Sequence, residues 1–223
     1  MAARFLRFLA AEARTGSALY ILGDLFDHWI GDDDADEPFN REVLDALAAL
    51  AATGVEISFQ HGNRDFLVSG RAALRGGLRL IHDPTVRDLF GTRTLLMHGD
   101  TLCTDDIRYQ RYRTRVRRPA VLRTFLALPR RVRRAIAGGL RSMSESEKGV
   151  KTPEIMDVSV ATVEAALRTH GYPRLIHGHT HRPGRHVHAL DGQTCERWVL
   201  GDWYQRASYL RCDARGCAAV ALG

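Results

Sequence analysis

Residues 175–181, Leu-Ile-His-Gly-His-Thr-His, decide the fold of this chain, because a short apolar strand ends there in a glycine flanked by histidines. Three other segments repeat this design, with glycine beside Asp, Asn or His at the end of an apolar strand: Leu22-Gly23-Asp24, His61-Gly62-Asn63 and Met97-His98-Gly99-Asp100. Side chains at the carboxyl ends of adjacent strands converge on one crevice. Glycine there lets the backbone turn sharply and lets a metal or phosphate approach closely. The four segments therefore predict one shared site.

The residue types at these strand ends favour a metal site. Carboxylate, carboxamide and imidazole ligands suit Mn²⁺, Fe²⁺ or Zn²⁺, and a thiolate-free set that includes asparagine argues against a structural zinc site. Two such ions about 3.5 to 4 Å apart clamp a phosphoester, activate water and stabilise the charge on the leaving oxygen. Each segment alone is also typical of a turn or of a hydrogen-bonded loop histidine. Four of them in one chain favour the metal site.

Apolar periodicity predicts a mixed α/β chain, in which strands and helices alternate early and hairpins follow late. The predicted helices cover residues 3–14, 39–52 and 154–169, with two more between 105 and about 141 that separate at Arg118-Pro119. The predicted strands cover 18–22, 55–59, 175–176, a hairpin over 86–97, and three or four strands after 181 with turns at 191–192 and 214–216. A polar stretch over 142–153 is expected to link the helical segment to the core.

Length and composition favour a single soluble domain. The chain has 223 residues, of which 45% are hydrophobic and 26% charged, which is ordinary for a globular protein. No apolar run approaches the roughly 18 to 20 residues of a membrane span. Arg4 and Arg7 interrupt the apolar pattern at the start, which indicates an amphipathic helix and not a signal peptide. A cytoplasmic location is therefore expected.

The cysteines show no C-x-x-C pair and no dense framework; they are Cys103, Cys195, Cys212 and Cys217. Free thiols in a reducing compartment are therefore expected in preference to metal ligands.

Positive charge is concentrated in one segment. Residues 107–141 contain twelve arginines and no acidic residue. The whole chain carries a net charge of +6, so the remaining residues sum to −6. The acidic run 32–34, Asp-Asp-Asp, is interpreted as a solvated or helix-capping loop. A mildly acidic body thus carries a strongly basic segment.

The basic segment also has an apolar face, because apolar residues recur at helical spacing among the arginines: Val121, Leu122, Phe125, Leu126, Val132, Ile136 and Leu140. Such a helix is typical of an anionic membrane surface, or of a lid whose groove takes acyl chains. The arginines also suit nucleic acid, but the segment has few aromatic rings for base stacking. A membrane or lipid contact is favoured over nucleic acid, and packed surface helices are the third alternative.

The order G-D-x-x-D, G-N-x-D, H-G-D and G-H-T-H resembles the calcineurin-like metallophosphoesterases over nearly the whole chain. The resemblance implies one domain over 1–223, with two packed sheets flanked by helices, a helical cap inserted over about 105–152, and two Mn²⁺ ions. It implies that Asp24 bridges the ions, and that Asn63, His98 and His179 complete the ligands of one ion. His181 is expected to bind the other ion, and Asp27 to support the site without ligating.

The residues around these motifs resemble those of the branch of this family that cleaves UDP-2,3-diacylglucosamine in lipid A synthesis. The matching stretches are 20–26, 29–34, 61–67, 97–106 and 176–183. Many members of the family have a histidine after the asparagine, where it protonates the leaving group. Arg64 stands there instead, and an arginine suits bidentate clamping of a pyrophosphate whose leaving phosphate needs no proton. The resemblance implies attack of activated water on the α-phosphorus, giving UMP and 2,3-diacylglucosamine 1-phosphate.

The same resemblance assigns residues to catalysis and to the substrate. The expected catalytic residues are Asp24, Asn63, Arg64 and His98. The expected substrate contacts are Asn63, Arg64, Asp106, Ser144, Lys148, Lys151 and His179. Ser144, Lys148 and Lys151 are placed only by counting back from residues 155–158, and a solvated polar loop is the alternative for the first two. The expected location is peripheral, on the cytoplasmic face of the inner membrane. Nucleic acid is not expected as a partner, and the oligomeric state stays open.

One motif of the family has no counterpart in this sequence. Members begin with a strand ending in Asp-x-His that completes the first metal site, and no such motif precedes Asp24. The adjacent Asp27-His28 pair lies too late to substitute. A start placed too far downstream or a deliberately shortened chain is favoured over a degenerate single-metal relative, because the other motifs are intact. We expect a gap in the sheet that exposes unpaired backbone, and weak or no catalysis by these 223 residues.

Two other functions stay open at this point. One is a phosphoesterase for a different nucleotide, such as a dinucleoside polyphosphate, which would need no acyl groove. The other is a non-catalytic binding protein that keeps the fold with one metal ion or none.

Overall fold

The computed structural model describes residues 2–148, 155–204 and 207–222, with the side chains of residues 2 and 144–148 left aside. Its α-helices are α1 Ala2–Ala10, α2 Pro38–Ala51, α3 Gly70–Arg75, α4 Ile107–Val116, α5 Pro119–Ala127, α6 Arg130–Lys148 and α7 Val160–Thr169. Its strands are β1 Ala18–Leu22, β2 Glu56–Gln60, β3 Leu78–Leu80, β4 Thr85–Leu89, β5 Thr92–Met97, β6 Arg174–His177, β7 Gly184–Leu190, β8 Gln193–Val199, β9 Ser208–Asp213 and β10 Gly216–Ala221.

The strands form two principal sheets. The first is parallel, in the order β1-β2-β3, and the second is mixed, in the order β4-β5-β6-β8-β7. A separate antiparallel hairpin joins β9 to β10. Because β1 is parallel to β2, the segments that follow these two strands lie at the same edge of the first sheet. The segments that follow the parallel strands β5 and β6 likewise lie at one edge of the second sheet. The predicted α/β architecture of two sheets flanked by helices is confirmed.

The apolar core explains why the two sheets stay together. One cluster buries the inner face of α2 against β2, with Leu44, Leu47 and Phe59 completely buried. A second cluster packs α7 against β5 and β6. Leu22, Leu96 and Ile176 form a third cluster between the sheets, and they stand just before three of the four glycine turns. Burial of the strands therefore fixes where the turns lie.

The first sheet ends at β1, which pairs with β2 on one side and with no other strand in the described part of the chain. Along β1 runs a cavity of about 850 Å³, lined also by α1, by β9 and by the glycine turns at Gly23 and Gly178. The gap that the sequence predicts beside this strand is thus present as an open volume.

The cap differs from its prediction in the number and length of its helices. In its described part three helices cover it instead of two, because Pro129 follows Leu128, the residue that caps the end of α5, and α6 begins directly after this proline. Proline is favoured at helix starts and disfavours helix in the preceding residue. The predicted polar loop over 142–153 is helical as far as Lys148, since this stretch contains no glycine or proline before Gly149.

Smaller differences concern the ends of elements. The first helix stops at Ala10 and continues only as a 3₁₀ turn at Ala13–Thr15. α3 and β3 were not predicted from the sequence, because six and three residues are too short to show a period. α7 begins at Val160, later than predicted, and residues 149–154 lie outside the described part. None of the described helices is both long enough and apolar enough to cross a bilayer.

The expectation of four free thiols is wrong for one pair. Cys212 and Cys217 form a disulfide across the β9–β10 hairpin, because the strand register sets these two residues directly opposite each other. Cys103 and Cys195 are free, as expected, and both are buried.

Candidate metal centre

Two glycines bring the loops after β1 and β2 into contact. A Cβ atom on Gly23, whose φ is +84°, would lie 2.5 Å from the Gly62 Cα and from His98 Nδ1. A Cβ atom on Gly62 would lie 2.2 Å from the Asp24 Oδ1. No side chain fits at either distance, so only glycine allows the loops to approach so closely. Asp24 itself adopts a left-handed φ of 55°, which turns its side chain toward the other loops.

Four of the predicted ligands meet at this place. Single ligand atoms of Asp24, His98 and His179 all lie within 4.8 Å of one another. The Asn63 Oδ1 lies 3.1 Å from His98 Nε2 and 3.0 Å from His179 Nδ1. A carboxylate, an amide oxygen and two imidazoles thus converge without a thiolate, and this donor set fits Mn²⁺, Fe²⁺ or Zn²⁺.

Hydrogen bonding and burial set the ring orientation of His98 and the charge of His179. His98 Nδ1 lies 2.8 Å from the Leu22 carbonyl oxygen, so it donates its proton there and leaves Nε2 for a ligand. Burial lowers the pKa of His98, but the charges of Asp24 and Asp100 outweigh it and leave that pKa raised. Burial, with the nearby His98, lowers the pKa of His179 to about 3. His179 is therefore neutral at pH 7.

His181 is positioned differently from the other predicted ligands. It lines the same cavity as Asp24 and His179, and it has a left-handed φ of 55°. It is not part of the close cluster of ligand atoms among the described residues. The structure thus brings His181 to the site but not into the close group formed by Asp24, His98 and His179.

Asp65 is the main residue of the site that sequence analysis did not assign. Its fully buried carboxylate accepts hydrogen bonds from the backbone N–H of Gly62 at 2.8 Å and of Leu25 at 2.7 Å. It therefore ties together the loops that carry Asp24 and Asn63. Burial and the adjacent Asp24 raise the pKa of Asp65 to about 7. Its presence in the G-N-x-D motif was the available signal.

Arg64 lies at the mouth of the cluster. Its backbone N–H donates to the Asp24 Oδ1 at 3.0 Å, and its Nη1 donates to the Asp27 Oδ1 at 3.3 Å. The Tyr204 hydroxyl also contacts this Asp27 oxygen. Arg64 is one-quarter exposed, so its guanidinium is oriented by Asp27 and still accessible from the cavity.

The remaining predicted substrate residues belong to the cap. Asp106 precedes α4 and accepts a hydrogen bond from the Tyr109 N–H at 3.0 Å, as an N-cap. Ser144 and Lys148 lie in α6, and their side chains are outside the described part, as is the whole of Lys151.

The interpretation of residues 32–34 as a solvated or helix-capping loop is wrong for Asp34, whereas Asp33 is half exposed. Asp34 is buried, and its Oδ1 accepts from Arg130 at 2.9 Å and from Arg134 at 3.2 Å. Asp33 pairs with the nearly buried Arg133. The loop therefore holds α6 against the core. No local pattern could show this, because about 100 residues separate the partners.

Comparison with known proteins places the chain in a family. The sequence matches the calcineurin-like phosphoesterase family over residues 2–183. It is 54% identical over 212 residues to the UDP-2,3-diacylglucosamine hydrolase of Aromatoleum aromaticum, covering 95% of this chain and 86% of that protein. Proteins of the same name from Nitrosococcus oceani and Edwardsiella ictaluri are 52% and 50% identical, over 96% and 99% of this chain and 85% of each relative. With its four glycine turns and converging ligands, the chain belongs to the calcineurin-like phosphoesterase family.

Proposed function

We propose that this chain hydrolyses the pyrophosphate bond of UDP-2,3-diacylglucosamine, giving UMP and 2,3-diacylglucosamine 1-phosphate. The observation that carries the proposal is the meeting of Asp24, Asn63, His98 and His179 beside Arg64. The site thus combines a metal-ligand cluster with a cation suited to a diphosphate. Relatives that are 50% to 54% identical carry the name of this hydrolase, and this similarity selects the substrate.

Two Mn²⁺ ions are the proposed cofactors. Asp24 would bridge them, Asn63, His98 and His179 would hold one, and His181 would bind the other. Bound ions of this kind activate water and stabilise the charge on the leaving oxygen. The protein contributes the orientation of the ligands, because the Leu22 carbonyl fixes the His98 ring and Asp65 fixes the loops around it.

Arg64 is the proposed phosphate clamp. A guanidinium presents its donors in a fixed fork that matches phosphate oxygens in pairs. Asp27 holds the Nη1 end of this fork, which leaves the rest of it to face the cavity. Since the leaving phosphate is a stable anion, it needs no protonation, and an arginine in place of an acid–base histidine is sufficient.

The cap is the proposed binding region for the lipid part of the substrate, with Asp106, Ser144, Lys148 and Lys151 as contacts. Large apolar side chains are exposed along α5 and α6: Val121, Leu126, Val132, Ile136, Leu140 and Met143. Beside them, a cavity of about 380 Å³ is lined by Ala120, Val121, Thr124, Phe125 and Leu128. An amphipathic surface of this kind suits a peripheral position on the cytoplasmic face of the inner membrane.

The charges of the cap weigh against nucleic acid. Arg113, Arg130, Arg133 and Arg134 form ion pairs with acidic residues of the core. These arginines stabilise the folded chain and are not available to neutralise a phosphate backbone. We therefore propose a membrane surface, and not nucleic acid, as the partner of the cap.

The test is Mn²⁺-dependent release of UMP from UDP-2,3-diacylglucosamine by this chain preceded by any Asp-x-His strand that its gene encodes, since weak or no release is expected from the 223 residues alone. We expect Asp24→Ala to abolish release and Arg64→Ala to lower kcat/KM by about a hundredfold, as the loss of a charged transition-state contact would. Release of UMP that persists in Asp24→Ala, or that chelation of manganese leaves unchanged, would contradict the proposed chemistry. Turnover of short soluble diphosphates, but not of the lipid nucleotide, would contradict the proposed substrate.

A further inference from the structure

The carboxylate of Asp100 has no part in the chemistry proposed above, yet it is completely buried directly behind the metal-ligand cluster. Its Oδ2 accepts hydrogen bonds from the Tyr109 hydroxyl at 2.8 Å and from Arg113 Nε at 2.6 Å. Its backbone carbonyl oxygen accepts from Gln110 Nε2 at 2.7 Å. Three side chains of α4 thus converge on one residue of the core.

The end of α4 reaches the second ligand-bearing loop. Arg117, which follows the helix, donates from Nη2 to the Gly62 carbonyl oxygen at 2.7 Å, and its guanidinium stacks 4.9 Å from the Phe66 ring centre. The Tyr109 ring lies 5.7 Å from the His179 ring. The first helix of the cap therefore contacts the loops that carry Asn63, His98 and His179.

The charges strengthen this contact, because the Arg113 guanidinium forms an ion pair with the completely buried Asp100 carboxylate at 2.6 Å. An ionised acceptor with charged and neutral donors makes hydrogen bonds stronger than those between neutral groups.

We propose that Asp100 is a positioning residue, which fixes the first helix of the cap to the metal-ligand loops and thereby aligns the cap with the substrate. The N-cap residue of this helix is Asp106, a proposed substrate contact, and it lies one turn before the residues that grip Asp100. The inference rests on the proposed function for what the cap binds. The anchoring itself rests only on the contacts around Asp100.

The test combines Asp100→Asn with two readouts. Asparagine still accepts the hydrogen bond from Tyr109 but removes the charge that holds Arg113. We expect trypsin to cleave within 107–141 about tenfold faster, because the arginines there are cut when the cap opens and the rate follows the open population. We expect KM for UDP-2,3-diacylglucosamine to rise about tenfold, with kcat within about threefold, because only cap-dependent binding is lost. The kinetic constants for bis(p-nitrophenyl) phosphate, which lacks both nucleoside and acyl chains, should stay within about twofold.

Asp191→Asn is the matched control. It removes a carboxylate that Arg168 contacts at 2.8 Å on the surface of the second sheet, away from the cap. We expect it to change neither readout. If Asp100→Asn does not fold, Arg113→Gln breaks the same ion pair from a partly exposed side and takes its place.

Several results would overturn the inference. Unchanged trypsin cleavage would show that Asp100 does not hold the cap. Equal losses on both substrates, together with weaker Mn²⁺ binding in calorimetry, would show that it supports the metal ligands instead. If the unmodified protein of the activity test under the proposed function does not cleave UDP-2,3-diacylglucosamine, the proposed function fails, while cleavage by trypsin still decides whether Asp100 anchors the cap.

Discussion

Replacing Asp34 with asparagine should release the far end of the cap without unfolding the core. Asp34 is 1% exposed and lies in the loop that the long cap helix α6 covers. Its Oδ1 accepts from Arg130 Nη2 at 2.9 Å and from Arg134 Nη2 at 3.2 Å. Asparagine keeps an acceptor oxygen of the same size at this position but removes the charge.

The expected loss can be worked from these contacts. A hydrogen bond between charged groups contributes about 1.5 to 3 kcal/mol. Here the two arginine side chains are 36% and 50% exposed, and Glu37 remains as a partner for both. Solvent screening and this second carboxylate reduce the loss. We expect docking of the cap to weaken by about 2 kcal/mol, which corresponds to about a thirtyfold larger open population.

Hydrogen–deuterium exchange of the α6 amides measures that population, because these amides exchange through local opening. We expect exchange to be about thirtyfold faster in α6 and unchanged in β5, an inner strand of the second sheet. Asp36→Asn is the control from the same acidic stretch, since Asp36 is exposed and its side chain contacts Arg75 instead of the cap. Exchange of α6 at the unmodified rate, or equal acceleration in α6 and β5, would refute the reasoning.

Three further changes test the site and the loop. The two carboxylate oxygens of Asp65 accept backbone hydrogen bonds from Gly62 and from Leu25, and the single oxygen of Asp65→Asn can accept only one of them. We expect the Mn²⁺ affinity measured by calorimetry to fall about tenfold. Unchanged affinity would contradict the role of Asp65 in holding the ligand loops together. Gly62→Ala adds a Cβ atom 2.2 Å from the Asp24 Oδ1, so calorimetry should detect almost no Mn²⁺ binding, whereas normal binding would mean that the loops do not touch. The hydrogen bond from Arg133 lowers the pKa of Asp33 below its usual value of 3.8, so its stabilising effect is present above that pH and is lost as the pH falls below it. The loss of Tm between about pH 5 and about pH 3 should therefore be smaller in Asp33→Asn than in the unmodified chain, and an equal loss would count against this pair.

The glycine turns and the ligands beside them were predictable, because strand, glycine and polar residue occur together in the local sequence. Asp24, Asn63, His98 and His179 come together since β1 and β2, and likewise β5 and β6, run parallel. Periodicity could not resolve α3 and β3, which are shorter than the period that would reveal them.

The supporting contacts were not predictable in the same way. Asp65 acts on backbone N–H groups, which every residue has, so its partners leave no trace in the sequence. Asp34 and Arg130 are 96 residues apart, and the charge of each indicated only a solvated surface. The twelve arginines between 107 and 141 suggested an external anionic partner, whereas several of them bind acidic residues of the chain itself.

Within the described residues one side of β1 has no strand partner, and this has a consequence for handling the protein. An edge strand with free N–H and C=O groups is a template on which a second chain can add a strand, and natural sheets block such edges with charges or proline. Ala18–Leu22 contains neither, and Leu19 and Tyr20 both pack against core clusters. A protective lysine therefore fits in the flanking turn, at the exposed Gly16 or Ser17. Concentrated solutions of this chain should self-associate through β1, and a lysine in that turn is the change that would slow the association.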